Sequence, residues 1–196
     1  NRIYPGKFNN VTNGIAHRRW LGQANPELTN YLNGLLGGDF IKDLSNIEEL
    51  LKYADDKTVL ADLEKIKYTK KEQLAKYIKD ANGINVDINS IFDVQVKRLH
   101  EYKRQLLNAL HIVYLYRQIK FNGLRPRPRT FIFAAKASSG YVMAKNIIKF
   151  ICTLSEMIEA DPLVRDYIKV VFLEDYRVTL AEIIIPGANV SEQISQ

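Results

Sequence analysis

The sequence has one cysteine, three histidines and no apolar run that approaches the roughly 20 residues of a membrane span. Because Cys152 has no partner, an internal disulfide is excluded, and we expect a small buried side chain in a reducing compartment. The histidines His17, His100 and His111 show no spacing typical of metal ligands. Residues 1–10 lack the apolar core of a signal peptide, so we expect a cytoplasmic protein without a metal site.

The composition is that of a globular protein with an excess of positive charge. Of the 196 residues, 46% are hydrophobic and 26% are charged, which excludes a disordered or collagen-like chain. Lys and Arg number 28 against 22 Asp and Glu, giving a net charge of +6. Such an excess predicts an anionic partner, but charge alone leaves nucleic acid, a membrane surface and a small phosphate open.

Helical patterns fill the first part of the chain, up to about residue 82. Pro26 suits the first turn of a helix, and Gly37 suits its end. A short helix follows, with Ser45 or Asn46 as its N-cap. A third helix spans residues 57–80, and we interpret its face rich in Lys and Glu as solvated.

From residue 83 the pattern alternates between strands and helices. The predicted strands are residues 91–96, 130–135 and 168–173, and the predicted helices are residues 101–120, 141–160 and 176–185. Pro186 should end the last helix. The side chains of helix 101–120 that we expect in the core are Leu106, Leu107, Leu110, Val113 and Tyr114. The order predicts an α/β fold, a Rossmann-like parallel sheet with helices on both faces, preceded by a helical segment.

Ligands of open α/β sheets bind at the carboxyl ends of the strands, which directs attention to the loop after the first strand. Residues 97–104 read KRLHEYKR, with four cations and a histidine where a strand gives way to a helix. Cations are unfavourable at a helix N-terminus unless an anion binds there, and Arg and Lys are good phosphate ligands. The pattern therefore indicates an anion site, with a solvated basic turn as the alternative.

The other strand ends carry weaker signals. The small residues 137–140 allow close approach of a ligand, although they match neither GxGxxG nor a P-loop. The acidic pair Glu174 and Asp175, after the third strand, could orient a cation or a sugar hydroxyl, and Asp175 could instead cap the next helix. The second basic cluster is interpreted as a solvated connector and consists of Arg117, Lys120, Arg125, Arg127 and Arg129.

Several collinear motifs resemble one enzyme family. They are VTNGI (11–15), RRWL (18–21), FDVQVKR (92–98), HEYKRQLLN (100–108), KA with GY and MAK (136–145), YRV with LAE (176–182) and SEQIS (191–195). These stretches span nearly the whole chain and resemble those of the α-glucan phosphorylases. The chain is identified as a member of that family.

The resemblance implies a two-domain GT-B glycosyltransferase fold of which this chain covers the start of the C-terminal domain. It also implies transfer of a terminal α-1,4-linked glucose from a glucan to inorganic phosphate, which gives glucose 1-phosphate with retention. The implied cofactor is pyridoxal phosphate, whose phosphate exchanges a proton with the substrate phosphate. The parent enzyme is expected to be a homodimer, with neither nucleic acid nor membrane as a partner.

Carried over residue by residue, the resemblance assigns the phosphates first. Arg98 and Lys103 should hold the substrate phosphate, as the catalytic pair. Lys97 should contact the cofactor phosphate together with Tyr176. The residues that should line the rest of the cofactor pocket are Trp20 and Arg177.

The resemblance also assigns three residues to the glucan. Asn13 and Tyr102 should hydrogen-bond the transferred glucose. Tyr141 resembles the aromatic residue at the mouth of the catalytic cleft, and the alternative is a core aromatic at a helix start.

The family motif continues past SEQIS with a Gly/Ser/Thr-rich loop and the Schiff-base lysine, whereas the sequence stops at Gln196. We therefore expect a fragment that neither binds the cofactor covalently nor acts alone. Its expected parts are a connection and active-site segment (1–21), a helical segment (22–82) and a Rossmann-like core (83–196). The competing hypotheses are a basic nucleic-acid-binding module and a remnant that binds phosphate or sugar.

Overall fold

The computed structural model describes residues 3–9, 11, 14–38 and 40–196. The chain forms two compact units, Asn1–Asp56 and Lys57–Gln196. The three-part division at residues 21 and 82 stays a prediction. No helix of the described ranges is long and apolar enough to cross a membrane.

The first unit consists of short helices. A π-helical turn, Arg18–Gln23, precedes helix α1 (Pro26–Leu36), and a 3₁₀ helix, Leu44–Tyr53, follows. Helix α1 has the expected signals, with proline in its first turn and Gly37 at φ 70° after its end.

The cap of the 3₁₀ helix differs from the prediction. The N-cap is Asp43, whose Oδ1 accepts hydrogen bonds from the backbone N of Ser45 at 3.0 Å and its hydroxyl at 2.7 Å. Ser45 and Asn46 therefore lie inside the helix. Asp43 can take this position because its carboxylate reaches the free N–H groups of the first turn.

The second unit is an α/β sandwich. Its elements in chain order are α2 (Lys57–Asn82), β1 (Ile91–Val96), a 3₁₀ turn (Glu101–Lys103), α3 (Gln105–Asn122), β2 (Arg129–Ala134), α4 (Val142–Glu159), β3 (Ile168–Leu173), α5 (Val178–Gly187) and β4 (Val190–Ser191). The strands form a four-stranded parallel sheet in the order β3-β2-β1-β4. Helices α3 and α4 pack on one face, and α2 and α5 on the other. The predicted fold class is confirmed.

The buried face of α3 differs from the prediction. Leu106, Leu107, Leu110 and Tyr114 are 39–57% exposed, and of the five expected residues only Val113 packs against the core. The buried face instead carries Gln105, Asn108, Ala109, Ile112, Tyr116 and Ile119. Apolar residues occur on both sides of this helix, so their spacing did not identify the inner face. The amides on the inner face are buried because they bond to β1 and the loop after it.

The lysine-rich face of α2 is only partly solvated. Lys70 and Lys71 are 6% exposed, and the ammonium of Lys71 donates to the carbonyl of Ser90 at 2.6 Å. Lys67 donates to the carbonyls of Pro186 and Ala188 at 2.7 and 2.9 Å. These lysines satisfy carbonyls at the end of α5 and before β1, which corrects the interpretation of this face.

The end of α5 also differs from the prediction. Pro186 and Gly187 lie inside the helix, which continues to Gly187, and the short strand β4 follows. A Cβ on Gly187 would stand 3.0 Å from Leu74 Cδ2 and 3.1 Å from the carbonyl oxygen of Lys70. Glycine therefore permits the close packing of α5 on α2.

Candidate functional site

The loop after β1, residues 97–104, is called the basic loop below. It leaves the carboxyl end of β1 next to β4, where the strand order departs from the run β3-β2-β1. The chain leaves β1 toward α3 on one face and enters β4 from α5 on the other. Such a switch point opens a crevice outside the strand ends, where open α/β sheets bind ligands.

Two lysines of the basic loop come close together. Lys97 is half-buried, and its ammonium donates to Gln193 Oε1, just after β4, at 2.9 Å. Burial lowers the pKa of Lys97, and the nearby ammonium of Lys103 lowers it further. Lys103 lies 5.6 Å from the centre of the Tyr102 ring. Two neighbouring ammonium groups repel each other until an anion binds between them.

Neither arginine of the loop has an acidic partner among the described residues. Arg98 is exposed, and its guanidinium makes no hydrogen bond or ion pair with a described residue. Arg104 has a backbone φ of 59° and forms the N-cap of α3. Asp175, in the loop after β3, is the other non-glycine residue of the described ranges with positive φ. Such conformations are costly and concentrate at functional sites.

Three helices begin at this end of the sheet without side-chain caps. Neither α3, α4 nor α5 has a capping side chain or an acidic residue in its first turn. Their first N–H groups and the positive ends of their dipoles thus add to the charge of the loop. The arrangement is suited to an anion.

The loop after β2 is tied to the basic loop by an aromatic cluster. The hydroxyl of Tyr141 donates to Glu101 Oε2 at 2.6 Å, and this bond raises the pKa of Tyr141. The ring of His100 lies 5.3 Å from that of Tyr141 and 4.5 Å from that of Tyr102. Tyr141 also packs against the core. Its side chain thus packs against the core and bonds to the basic loop, and its place at the mouth of a cleft stays a prediction.

The loop after β3 corrects one interpretation. Asp175 does not cap α5, whose N-cap is Arg177. Its carboxylate accepts from Arg177 Nη1 at 2.9 Å and lies 3.9 Å from the ammonium of Lys136. Tyr176 is half-buried, and its burial raises the pKa of the phenol. Asp175 lies two residues before the N-cap of α5, so its carboxylate contacts the cations Arg177 and Lys136 instead of capping the helix.

Comparison with known proteins decides the family. The family model for carbohydrate phosphorylase matches residues 1–196. This chain belongs to the carbohydrate phosphorylase family. It is 46% identical over 193 residues to a maltodextrin phosphorylase of Streptococcus pneumoniae, covering 98% of this chain and 26% of that protein. It is 50% identical over 194 residues to a glycogen phosphorylase of Bacillus subtilis, covering 98% and 24%. The muscle glycogen phosphorylase of Homo sapiens is 46% identical over 197 residues, with 98% and 23% covered. The chain thus spans about a quarter of the length of these phosphorylases.

The structure brings most of the predicted phosphorylase site residues to the carboxyl end of the sheet. Lys97, Arg98, Tyr102 and Lys103 lie on or beside the basic loop, and the predicted residues on the neighbouring strand-end loops are Tyr141, Tyr176 and Arg177. Trp20 lies in the first unit, in the turn Arg18–Gln23, and is half-buried. Asn13 lies outside the described residues. The roles of all nine residues stay predictions.

The second basic cluster lies at the opposite end of the sheet. Arg129 Nη1 is 2.9 Å from Asp93 Oδ2, and Lys120 is 2.7 Å from Asp161 Oδ2. Arg125 donates to the carbonyl of Ile119 at 3.2 Å. The cluster is therefore not merely a solvated connector, because several of its cations are paired with carboxylate or carbonyl oxygens.

Sequence reasoning missed an amide that contacts the basic loop, a pair of acids on β1 and after β4, and a set of buried amides. Gln193 holds Lys97, and its place in SEQIS was noted only as part of a motif. The carboxyl groups of Asp93 and Glu192 interact across β1 and β4; burial and this interaction raise the pKa of Asp93 to about 6. Buried amides beneath the basic loop were the third group. For Asp93 and Gln95 the available signal was an acid and an amide within the buried strand β1.

Proposed function

We propose that this chain supplies the phosphate-binding part of an α-glucan phosphorylase. The enzyme transfers a terminal α-1,4-linked glucose to inorganic phosphate and releases glucose 1-phosphate. The observation that carries the proposal is the basic loop, where the Arg98 guanidinium has no partner among the described residues and lies at the strand ends beside helix starts without side-chain caps. The names of the relatives, glycogen and maltodextrin phosphorylase, support the same reaction.

Arg98 and Lys103 are the proposed ligands of the substrate phosphate. The exposed guanidinium of Arg98 can bind two phosphate oxygens in a fork, and Lys103 adds a point charge. Neutralising the phosphate by fixed cations lets it approach the anomeric carbon without being repelled by other anions. Because buried amides hold the backbone carbonyls of Arg98 and Lys103 before binding, less reorganisation of the loop is needed in the transition state.

The residues present fit the phosphate of pyridoxal phosphate. Lys97 is held by Gln193 with an ammonium whose pKa is lowered by burial and by Lys103, so a nearby dianion would be favourable. Tyr176 and Arg177 stand at the start of α5, which has no side-chain cap. We propose that these residues hold the cofactor; the proposed role of Trp20 in the cofactor pocket rests on the family resemblance alone. When bound, pyridoxal phosphate would supply a phosphate that exchanges a proton with the substrate phosphate.

Asn13 and Tyr102 are the proposed ligands of the transferred glucose. The side chain of Tyr102 is 46% exposed beside the phosphate ligands, which leaves its hydroxyl accessible to a sugar. Tyr141 is proposed for the mouth of the cleft, where its bond to Glu101 orients the ring. The wider partners, a glucan substrate and a second subunit, belong to the longer enzyme.

Titration of the chain with inorganic phosphate, followed by ³¹P NMR, tests the proposal. We expect saturable binding that glucose 1-phosphate displaces and that a combined Arg98→Met and Lys103→Met variant loses. The matched control, Arg125→Met with Arg127→Met, removes two cations from the other end of the sheet and should bind normally. Absence of binding, or equal binding by the first variant, would overturn the proposal.

A second test addresses the expected inactivity of the fragment. We propose that the Schiff-base lysine is none of the lysines in these 196 residues. Incubation with pyridoxal phosphate and borohydride should then leave no adduct at a single defined lysine, and glucan should not be phosphorolysed. A stoichiometric adduct at one lysine would contradict this proposal.

A further inference from the structure

Three amide side chains are buried beneath the basic loop. Gln95 of β1 and Gln105 of α3 are 1% exposed, and Asn108 of α3 is 5% exposed. Buried amides are uncommon in a hydrophobic core because each needs hydrogen-bond partners. The partners of Gln95 and Gln105 here include carbonyls of the loop, and Asn108 bonds to Gln95.

The amides bond to both ends of the basic loop. Gln105 Nε2 donates to the carbonyl oxygens of Lys97 and Arg98 at 3.3 and 3.2 Å. Gln95 Nε2 donates to the carbonyl of Lys103 at 3.1 Å, and Asn108 Nδ2 donates to Gln95 Oε1 at 3.0 Å. The three carbonyls that are held belong to the three residues proposed to bind phosphates.

These bonds have an electrostatic consequence. Carbonyl oxygens repel an anion, whereas ammonium and guanidinium groups attract it. Holding the carbonyls of Lys97, Arg98 and Lys103 against buried donors keeps their negative ends inside the protein. It also removes backbone freedom that binding would otherwise have to restrict.

Gln105 makes these bonds at a cost in stability. Its Oε1 is buried and has no hydrogen-bond partner among the described residues. An unpaired buried amide oxygen is unfavourable, and an apolar side chain of the same length would avoid it. A residue selected for packing alone would not need this amide.

We propose that Gln95, Gln105 and Asn108 are positioning residues that hold the basic loop in its anion-binding conformation. The inference rests on the proposed function of the loop. The amides act through Lys97, Arg98 and Lys103 and do not touch the phosphate themselves.

The test is Gln105→Met, which removes the donors and keeps the length of the side chain. Inorganic phosphate is titrated by ³¹P NMR, and melting is followed by circular dichroism. We expect about tenfold weaker phosphate binding, the effect of losing roughly one hydrogen bond that holds the backbone of a charged phosphate ligand. The melting temperature should stay within about 4 °C of the parent chain. The matched control is Gln118→Met on the same helix, and it should bind normally. Among the described residues, the half-buried amide of Gln118 bonds only to Asn122.

The salt dependence separates positioning from loss of charge. Gln105→Met retains every cation, so its affinity should fall with added salt as steeply as that of the parent, whereas Arg98→Met should show a shallower dependence. Gln95→Met is the second variant, read in the same way. If either variant binds phosphate as the parent does while the parent binds normally, the positioning role is wrong. If both variants unfold, the amides are structural and the inference is overturned. If the parent chain itself does not bind phosphate, the proposed function is wrong, and the inference that rests on it is wrong as well.

Discussion

Both ends of the parallel sheet are rich in Lys and Arg, yet the two ends use them differently. At the amino end, Arg129 pairs with Asp93, Lys120 with Asp161 and Lys169 with Glu159, all at 2.9 Å or less. At the carboxyl end, Asp175 contacts Arg177 and Lys136, but the cations of the basic loop face an amide, aromatic rings and uncapped helix starts. Net charge alone does not distinguish the two arrangements.

The difference separates stability from binding. A cation with an acidic partner close by is already compensated and has little further affinity for an anion. A cation held without such a partner raises the energy of the free protein and is stabilised when an anion arrives. Substitutions at the amino end should therefore affect folding, and substitutions at the carboxyl end should affect phosphate binding.

The largest effect is expected from Arg129→Met at the amino end. The variant leaves the carboxylate of Asp93, which is 2% exposed, without its cation. We expect the free energy of unfolding at pH 8 to fall by about 3 kcal/mol, the lower end for a broken buried pair. Phosphate affinity should not change. Arg127→Met is the control, since Arg127 donates only a 3.5 Å bond to a carbonyl.

The pH dependence of that loss sharpens the prediction. Burial raises the pKa of Asp93 from 3.8 to about 6, so this group stabilises the fold at low pH and loses that contribution as the pH rises through about 6. Without Arg129 the carboxyl should take up a proton more readily still. Urea unfolding at pH 5 should therefore show a smaller loss than at pH 8. An equal loss at both values would contradict the pairing.

The next largest effect is expected at the carboxyl end. Arg98→Met should weaken phosphate binding by about 10- to 100-fold, the range for one or two charge-assisted hydrogen bonds. The free energy of unfolding should change by less than about 0.5 kcal/mol, because no described partner of the guanidinium is lost. Calorimetry with phosphate and urea unfolding measure the two quantities. A loss of stability without a loss of affinity would reverse the assignment of the two ends.

Much of this arrangement could be predicted from the sequence because it is local. Strands β1 and β3 have the predicted bounds, since their apolar runs are short and clearly delimited. Lys97, Arg98 and Lys103 were identified because cations are unusual between a strand and a helix. A single sequence shows both the periodicity of apolar residues and the unfavourable placing of cations at a helix N-terminus.

The rest depends on contacts between distant residues. The 2.9 Å bond between Lys97 and Gln193 joins residues 96 positions apart. The inner face of α3 was predicted wrongly because its buried amides Gln105 and Asn108 bond to β1 and its loop, which no helical period reveals. Pairing of Arg129 with Asp93 likewise required the register of β1 and β2. Such partners are set by tertiary packing.

A smaller effect is expected from the backbone at the two ends of α3. Arg104 precedes the helix at φ 59°, and Gly123 follows it at φ 70°. Arg104→Gly relieves a left-handed conformation and should raise the free energy of unfolding by about 0.5 kcal/mol, while weakening phosphate binding because the loop loses a cation and becomes more flexible. Gly123→Ala should lower it by about 1 kcal/mol and leave binding unchanged. If Arg104→Gly destabilises the chain, its backbone is not strained.

The smallest effect is expected from Asp161→Asn, on the stability of the chain at low pH. Hydrogen bonds from Lys120 and Tyr116 lower the pKa of Asp161 from 3.8 to about 2. A carboxyl with a lowered pKa stabilises the fold above about pH 4 and loses that contribution as the pH falls through about 2. Asp161→Asn should therefore flatten the decline of unfolding free energy between these values and destabilise the chain only at higher pH.

The effect is small because Lys120 is 33% exposed and salt screens the pair. Asp80→Asn, which breaks an exposed pair with Lys76, should leave the acid decline unchanged. If Asp161→Asn retains the full decline, other carboxylates govern acid unfolding, and the amino end is stabilised by packing more than by its ion pairs.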